Sequence, residues 1–331
     1  MHRSNVLRRG RVAALVLAVG FASAHVALAD SSLQMTTVTY RTVNGHGLLA
    51  DVYRPKGKEV RPVVVYIHGG ALIMGNRKWI KYDKRVLSLA EQNGYCVVSI
   101  DYRLAPETKL PALISDIEAA LTWLGSAGAK QFHFDSDRMV VTGDSAGGYL
   151  TLVTGYRVHP KPRALVALYG YGELNADWLN KPNPYPSHNV KKITREEAMK
   201  QTDGTVISDS EQRKGGDGLD LYLYYRQNGL WPREVSGFSP DSLAEEIAAY
   251  EPAKHVTRDF PPTLLIHGTQ DTDVPFEESA KMAAQFRQHG VPYILVSIDK
   301  GEHMFVGGNE TQIEDAYKTM EEFMTKYLEA K

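Results

Sequence analysis

The sequence predicts an α/β domain built on a mostly parallel sheet, with a lid-like inserted segment, and three observations carry that expectation. Short apolar runs rich in β-branched residues, such as PVVVYI and YCVVSI, have the texture of strands buried on both faces. They alternate with longer stretches of helical spacing, the order expected of parallel strands joined by right-handed crossovers. Between Tyr171 and about Tyr250 the alternation lapses, and prolines, tryptophans and tyrosines crowd together.

The elements follow in order. VTYRTVNGHGLLADVYRP sets two alternating runs around Asn44 and Gly45, a hairpin signal. PVVVYIHGG then reads as a buried strand, WIKYDKRVLSLAEQNG as a helix stopped by Asn93 and Gly94, and YCVVSIDYR as the next strand. PALISDIEAALTWLG reads as helix, RMVVTG as strand, SAGGYLTLVTGYRV as helix and ALVALYG as strand. Beyond the irregular segment come strand TLLIHG, helix FEESAKMAAQFRQHG, strand YILVSID and a closing helix QIEDAYKTMEEFMTKYLE. The irregular segment, about 172–250, reads as an insertion because flexible linkers are short of aromatics. Long insertions in α/β enzymes form lids or walls over the site.

Residues 1–29 are expected to be a signal peptide. Arg3, Arg8, Arg9 and Arg11 precede an apolar run that ends in Ala27, Leu28 and Ala29, an A-x-A exit. The run is shorter than the ~20 residues a membrane span needs. An exported, secreted or periplasmic, protein follows, with no stable membrane insertion after cleavage and a domain covering 30–331. Cleavage would remove four arginines and no acid, taking 38 basic and 39 acidic side chains to 34 and 39, a formal charge of −5. No lysine or arginine block stands out, which argues against nucleic acid or anionic membrane as a partner. The single cysteine, Cys96, can form no internal disulfide and sits in a strand-like run, so it reads as a small buried hydrophobe.

The chemistry centres on GDSAGG, residues 143–148. A G-x-S-x-G match arises by chance roughly 0.1 times in a chain of this length, so context must decide. Here Ser145 falls at a bend between strand RMVVTG and helix AGGYLTLV, where glycines at 143 and 147 let the two elements close and leave the hydroxyl exposed. A serine hydroxyl needs a base to take its proton and a carboxylate to orient that base. In doubly wound hydrolases these follow in the order serine, acid, histidine. HGTQDTDVP offers Asp271 and Asp273, the second also readable as a helix cap. Of eleven histidines only His289 and His303 lie beyond them. His289 ends a charged helix beside Gly290, whereas His303 lies in the loop after the last strand, at the carboxyl edge of the sheet, and is the expected base. His267 precedes the acid and is expected to brace the strand end. HGGA, residues 68–71, supplies a glycine turn whose amides can approach a ligand, and with the amide of Ala146 would form an oxyanion hole.

HGGA, DYRLAPE, GDSAGG, HGTQDTDVP and GEHMF, in this order, resemble the α/β-hydrolase superfamily, specifically the esterase and lipase branch akin to hormone-sensitive lipase. The resemblance runs from about residue 37 to 329. It implies the α/β-hydrolase fold, with an eight-stranded, mostly parallel sheet flanked by helices, and acyl transfer without metal or organic cofactor. Matched by position, it implies Ser145 as nucleophile, Asp271 as acid and His303 as base. The oxyanion amides would be those of Gly70, Ala71 and Ala146, with Gly69 aiding the turn, and DYRLAPE would be chiefly structural. Ala71 replaces the usual third glycine and adds a methyl group near the acyl carbon, which disfavours esters of tertiary alcohols. The acid motif is more similar to that of feruloyl and acetyl esterases, and of peptidases related to prolyl oligopeptidase, than to the lipase form.

The expected function is therefore a secreted serine carboxylesterase acting through an acyl-enzyme on a small-molecule or glycan-linked ester, such as acyl or feruloyl groups on plant polysaccharide. Its alternatives are a peptidase related to prolyl oligopeptidase, an arylformamidase and a non-catalytic binding protein on the same scaffold.

Overall fold

In the computed structural model the described residues are 33–82 and 84–330, so the expected signal peptide at 1–29 lies outside them. Eight strands among these residues form one sheet: β1 (Leu33–Val43), β2 (His46–Pro55), β3 (Arg61–Ile67), β4 (Cys96–Ile100), β5 (Phe134–Asp144), β6 (Ala164–Leu168), β7 (Thr263–Gly268) and β8 (Tyr293–Ile298). Their order is β1-β2-β4-β3-β5-β6-β7-β8. β1 and β2 pair antiparallel through the hairpin at Asn44 and Gly45, whose positive φ values of 50° and 82° fit a two-residue turn of the primed kind. β2 also runs antiparallel to β4, and every pair from β4 to β8 is parallel.

The helices are α1 (Lys84–Asn93), α2 (Leu110–Trp123), α3 (Ala129–Phe132), α4 (Ala146–Arg157), α5 (Asp177–Asn180), α6 (Arg195–Met199), α7 (Leu219–Asn228), α8 (Trp231–Ser236), α9 (Leu243–Ile247), α10 (Glu277–His289) and α11 (Glu310–Glu329). Why the central strands read as unbroken apolar runs is visible in the packing. Val63, Val65 and Ile67 of β3 join one core with Leu113 and Ile117 of α2, Leu150 and Val153 of α4 and Phe286 of α10. Val64 and Tyr66, one residue out of phase, join a second core on the opposite face with Val86 of α1 and Met320 and Met324 of α11. A period of two therefore sends successive side chains into different layers, and both must be apolar; each Val, Leu or Ile fully buried this way contributes about 1.5–3 kcal/mol. Cys96 is free and buried in the first core, where burial raises its thiol pKa to about 11.

The stretch expected to be one helix from Trp79 is divided. Residues Arg77–Lys81 form a 3-10 turn and α1 begins at Lys84. Asn76 caps the turn by accepting from the Lys78 amide at 2.9 Å, and Arg77 is drawn back to the sheet by Asp51 and Asp101. A local hydrogen-bonding side chain and two long-range ion pairs thus override the helical spacing.

The inserted segment between β6 and β7 carries α5 to α9. Leu179, Ile207, Leu221, Tyr225, Trp231 and Ile247 are buried in the same core as the sheet's first face, so this segment packs against the sheet. It also grips the loop after β3. Ser210 exchanges hydrogen bonds with Gly75, the Trp231 indole donates to the Ala71 carbonyl at 3.1 Å, and Arg213 donates to the carbonyls of Ile73 and Ala105, both at 3.0 Å. Among the described residues no helix is long and apolar enough to cross a membrane.

Candidate active site

β5 delivers the chain to Ser145 at φ 53° and ψ −118°, a conformation unfavourable for a side-chain-bearing residue. It persists because the surroundings enforce it. The Ser145 amide donates to the Leu168 carbonyl of β6 at 2.8 Å, and α4 starts at the next residue. The close approach leaves no room at position 147: a Cβ there would stand 2.0 Å from the Ile67 carbonyl oxygen. The chain turns sharply and presents the serine hydroxyl at the carboxyl edge of the sheet.

The structure brings Ser145, Asp271 and His303 together at that edge. His303 Nε2 lies 3.0 Å from Ser145 Oγ, and His303 Nδ1 lies 2.7 Å from Asp271 Oδ2. The tautomer with its proton on Nδ1 satisfies both: it donates to the carboxylate and leaves Nε2 to accept from the hydroxyl. The other oxygen of Asp271 accepts from the amides of Asp273 and Val274, at 2.9 and 2.8 Å. Burial by itself would raise the Asp271 pKa, but hydrogen bonds from His267 and His303 hold the carboxyl below its ordinary value. His267 braces the end of β7, pairing with Ser279 at 2.7 Å and the Val274 carbonyl at 2.9 Å.

The loops carrying Asp271 and His303 are fastened to each other. Glu302, just before the histidine, accepts from the amide and hydroxyl of Thr272. The imidazole meets the Tyr169 ring edge-to-face at 4.8 Å, and Tyr169 in turn meets Phe305 at 5.0 Å. Burial alone would lower the His303 pKa, yet the charges of Asp273, Asp271 and Asp144 together raise it. Only the neutral imidazole accepts a proton, so turnover is expected to fall as pH drops through this raised pKa, and kcat/KM should climb through and above the ordinary histidine range. A rate profile flat from pH 5 to 8 would contradict that assignment.

The turn after β3 is built from left-handed residues: Gly70 (φ 98°), Ala71 (φ 56°) and Leu72 (φ 63°). Gly70 is held by its carbonyl, which accepts from Ile73 and Met74, and a Cβ on it would come 2.3 Å from the Met74 carbonyl oxygen. Behind the turn His68 is fully buried, stacked on Tyr102 at 4.2 Å and bonded through Nδ1 to the Gly69 carbonyl at 2.8 Å. Burial lowers its pKa to about 4, which keeps it neutral and uncharged beside the turn. The Ala146 amide opens α4, where a helix N-terminus favours developing negative charge.

Two further carboxylates stand near His303: Asp273, which the sequence offered as the alternative acid, and Asp144, to which it gave no role. Asp144 accepts from the Tyr66 hydroxyl at 2.7 Å, and burial raises its pKa. Asp273 does not cap α10, whose N-cap position is Phe276. It turns instead toward His303, with its Oδ2 3.8 Å from Nε2, while its Oδ1 accepts from His188, Tyr222 and Arg226 of the insertion.

Comparison with known proteins bears on the fold. A family model described as alpha/beta hydrolase fold matches residues 64–307. A region of a non-reducing polyketide synthase, Preu6 of Preussia isomera, is 29% identical over 313 residues, covering 85% of this chain and 14% of that protein. The chain thus spans about a seventh of that relative's length. Among solved structures, an esterase of Pyrobaculum calidifontis is 26% identical with a TM-score of 0.59, covering 89% of this chain and 84% of its own. The esterase LipW of Mycobacterium marinum, at 21% identity and a TM-score of 0.62, covers 91% and 84% and attests the fold.

Proposed function

From the premise that this chain belongs to the alpha/beta hydrolase fold family, as an esterase-like hydrolase, we propose that it is a serine carboxylesterase working through an acyl-enzyme on Ser145. The observation that carries the reading is the 3.0 Å and 2.7 Å pair of contacts that His303 makes with Ser145 and Asp271. In the proposed cycle His303 takes the hydroxyl proton as Ser145 attacks the ester carbonyl, and Asp271 stabilises the imidazolium. The amides of Gly70, Ala71 and Ala146 receive the oxyanion, each donor contributing about 3 kcal/mol to the transition state. Nε2 then passes its proton to the departing alkoxide, and the same base activates water to release the acid.

The reading extends to an exported, periplasmic or secreted, enzyme, supported by the pattern of residues 1–29, and to small or glycan-linked esters as substrates. Nucleic acid is not an expected partner. Ala71 in place of a glycine supports primary and secondary alcohol esters over tertiary ones. A peptidase or formamidase would share the triad, so the test sets an ester against an amide. Purified protein is expected to hydrolyse p-nitrophenyl acetate at least a hundredfold faster, by kcat/KM, than a peptide p-nitroanilide or N-formylkynurenine. Faster cleavage of either amide would replace the proposed function.

A further inference from the structure

We propose that Asp273 is the specificity-determining residue of the alcohol side of this site, reading a free hydroxyl next to the esterified oxygen. The preferred substrates are then partially acylated polyols, sugars included. The inference rests on the esterase reading and deepens it.

The two oxygens of Asp273 do different things. Oδ1 accepts from His188 Nε2 at 3.0 Å, from the Tyr222 hydroxyl and from Arg226 Nη1 at 3.3 Å, while Arg226 Nη2 donates to the Asp273 main-chain carbonyl at 3.0 Å. These contacts are enough to fix the residue and to neutralise the buried Arg226. Oδ2 makes no hydrogen bond among the described residues, and the side chain keeps 22% of its surface exposed. A carboxylate present only as a counter-ion would gain by engaging both oxygens, since a charged acceptor left without a donor is costly. Here Oδ2 has no hydrogen-bond donor among the described residues, and it faces the His303 imidazole at ion-pair distance.

Its position relative to the chemistry is set by His303. The departing oxygen must come within about 3 Å of Nε2 to receive the proton. Asp273 Oδ2 lies 3.8 Å from that same nitrogen. The leaving alcohol therefore passes beside Oδ2, and a hydroxyl one or two carbons away can donate to it while the ester oxygen stays on Nε2. The acceptor remains ionised: burial opposes the charge, but His303, Arg226 and the His188 hydrogen bond hold the Asp273 pKa far below its ordinary value. A carboxylate can only accept, so it selects donors, and with Asp144 and Asp271 also near the base it repels anionic alcohols.

The test compares 2-hydroxyethyl acetate with 2-methoxyethyl acetate, which differ at the group that would meet Oδ2. Both give the same acetyl-enzyme, so a difference in kcat/KM arises before the alcohol departs. Rates are normalised to alkaline hydrolysis and taken at the upper pH plateau. The wild-type enzyme is expected to favour the hydroxyl ester about tenfold or more, the range of a hydrogen bond to a charged acceptor. In Asp273→Asn the three donors around Oδ1 require an oxygen there, which puts the NH2 group where Oδ2 was, so the preference should collapse to near one or reverse.

A wild-type ratio near one overturns the proposal, as does a preference that survives Asp273→Asn. If that variant fails to fold, the wild-type ratio alone decides. Steady hydrolysis of p-nitrophenyl acetate with a ratio near one removes this inference and leaves the esterase standing. No turnover of any of the three esters removes both.

Discussion

Replacement of Ser145 by alanine is expected to lower kcat/KM for p-nitrophenyl acetate by about 10⁴-fold or more while leaving the fold intact. The magnitude follows from losing the nucleophile of a unit whose members fail together, with residual rate from the oxyanion donors alone. The fold should survive because alanine removes only Oγ, whose described partner is His303 Nε2. The positive φ at this residue is already enforced by the Leu168 hydrogen bond and the closure over Gly147. Far-ultraviolet circular dichroism and thermal melting of the variant should match the parent. Turnover within tenfold of wild type would mean that the ester is cleaved elsewhere.

The second large effect concerns stability. Glu107 and Arg213 form an ion pair at 2.5 Å with both side chains almost fully buried, 2% and 1% exposed. Arg213 also donates to the carbonyls of Gln201, Ile73 and Ala105, so one guanidinium joins the insertion to the loop after β3 and to the DYRLAPE loop. Removing the negative partner leaves a buried cation uncompensated, which costs about 3–5 kcal/mol. Glu107→Gln keeps the shape and removes the charge, and its melting temperature is expected to fall by roughly 10 °C. Because the same arginine holds the turn bearing Gly70 and Ala71, kcat should fall with it while KM moves less. A melting temperature within a degree or two of the parent would show that the pair is dispensable.

These two positions illustrate what was legible in the chain. Ser145, Asp271 and His303 could be found because each follows a strand whose texture is unmistakable, and because strand ends of a parallel sheet converge at one edge. TLLIHG coincides with β7, and the Asn44 and Gly45 turn coincides with the hairpin, since local rules decide both. What escaped was decided at long range. Arg213 and Trp231 sit in a turn and a six-residue helix that carry too few residues to display a period, Tyr222 sits in a ten-residue helix, and the partners of all three lie far away in sequence. Asp273 looked like a cap because an aspartate ahead of a helix commonly is one. His188, Tyr222 and Arg226 claim it instead.

The insertion shows the same limit from another side. Its aromatic composition marked it as packed, but nothing local in it said which loop it packs on. In the structure it buttresses the turn after β3 and supplies the donors around Asp273, so its side chains reach both the turn that carries Gly70 and Ala71 and the carboxylate beside His303.

The central claim is that Ser145 becomes covalently acylated during turnover. Acid quenching during hydrolysis of p-nitrophenyl butyrate, followed by proteolysis and mass spectrometry, measures it directly. A butyryl mass increment is expected on the peptide that contains Ser145, formed in a burst of p-nitrophenol stoichiometric with enzyme and absent from Ser145→Ala. Sustained turnover with an increment on another residue, or on none, would contradict it.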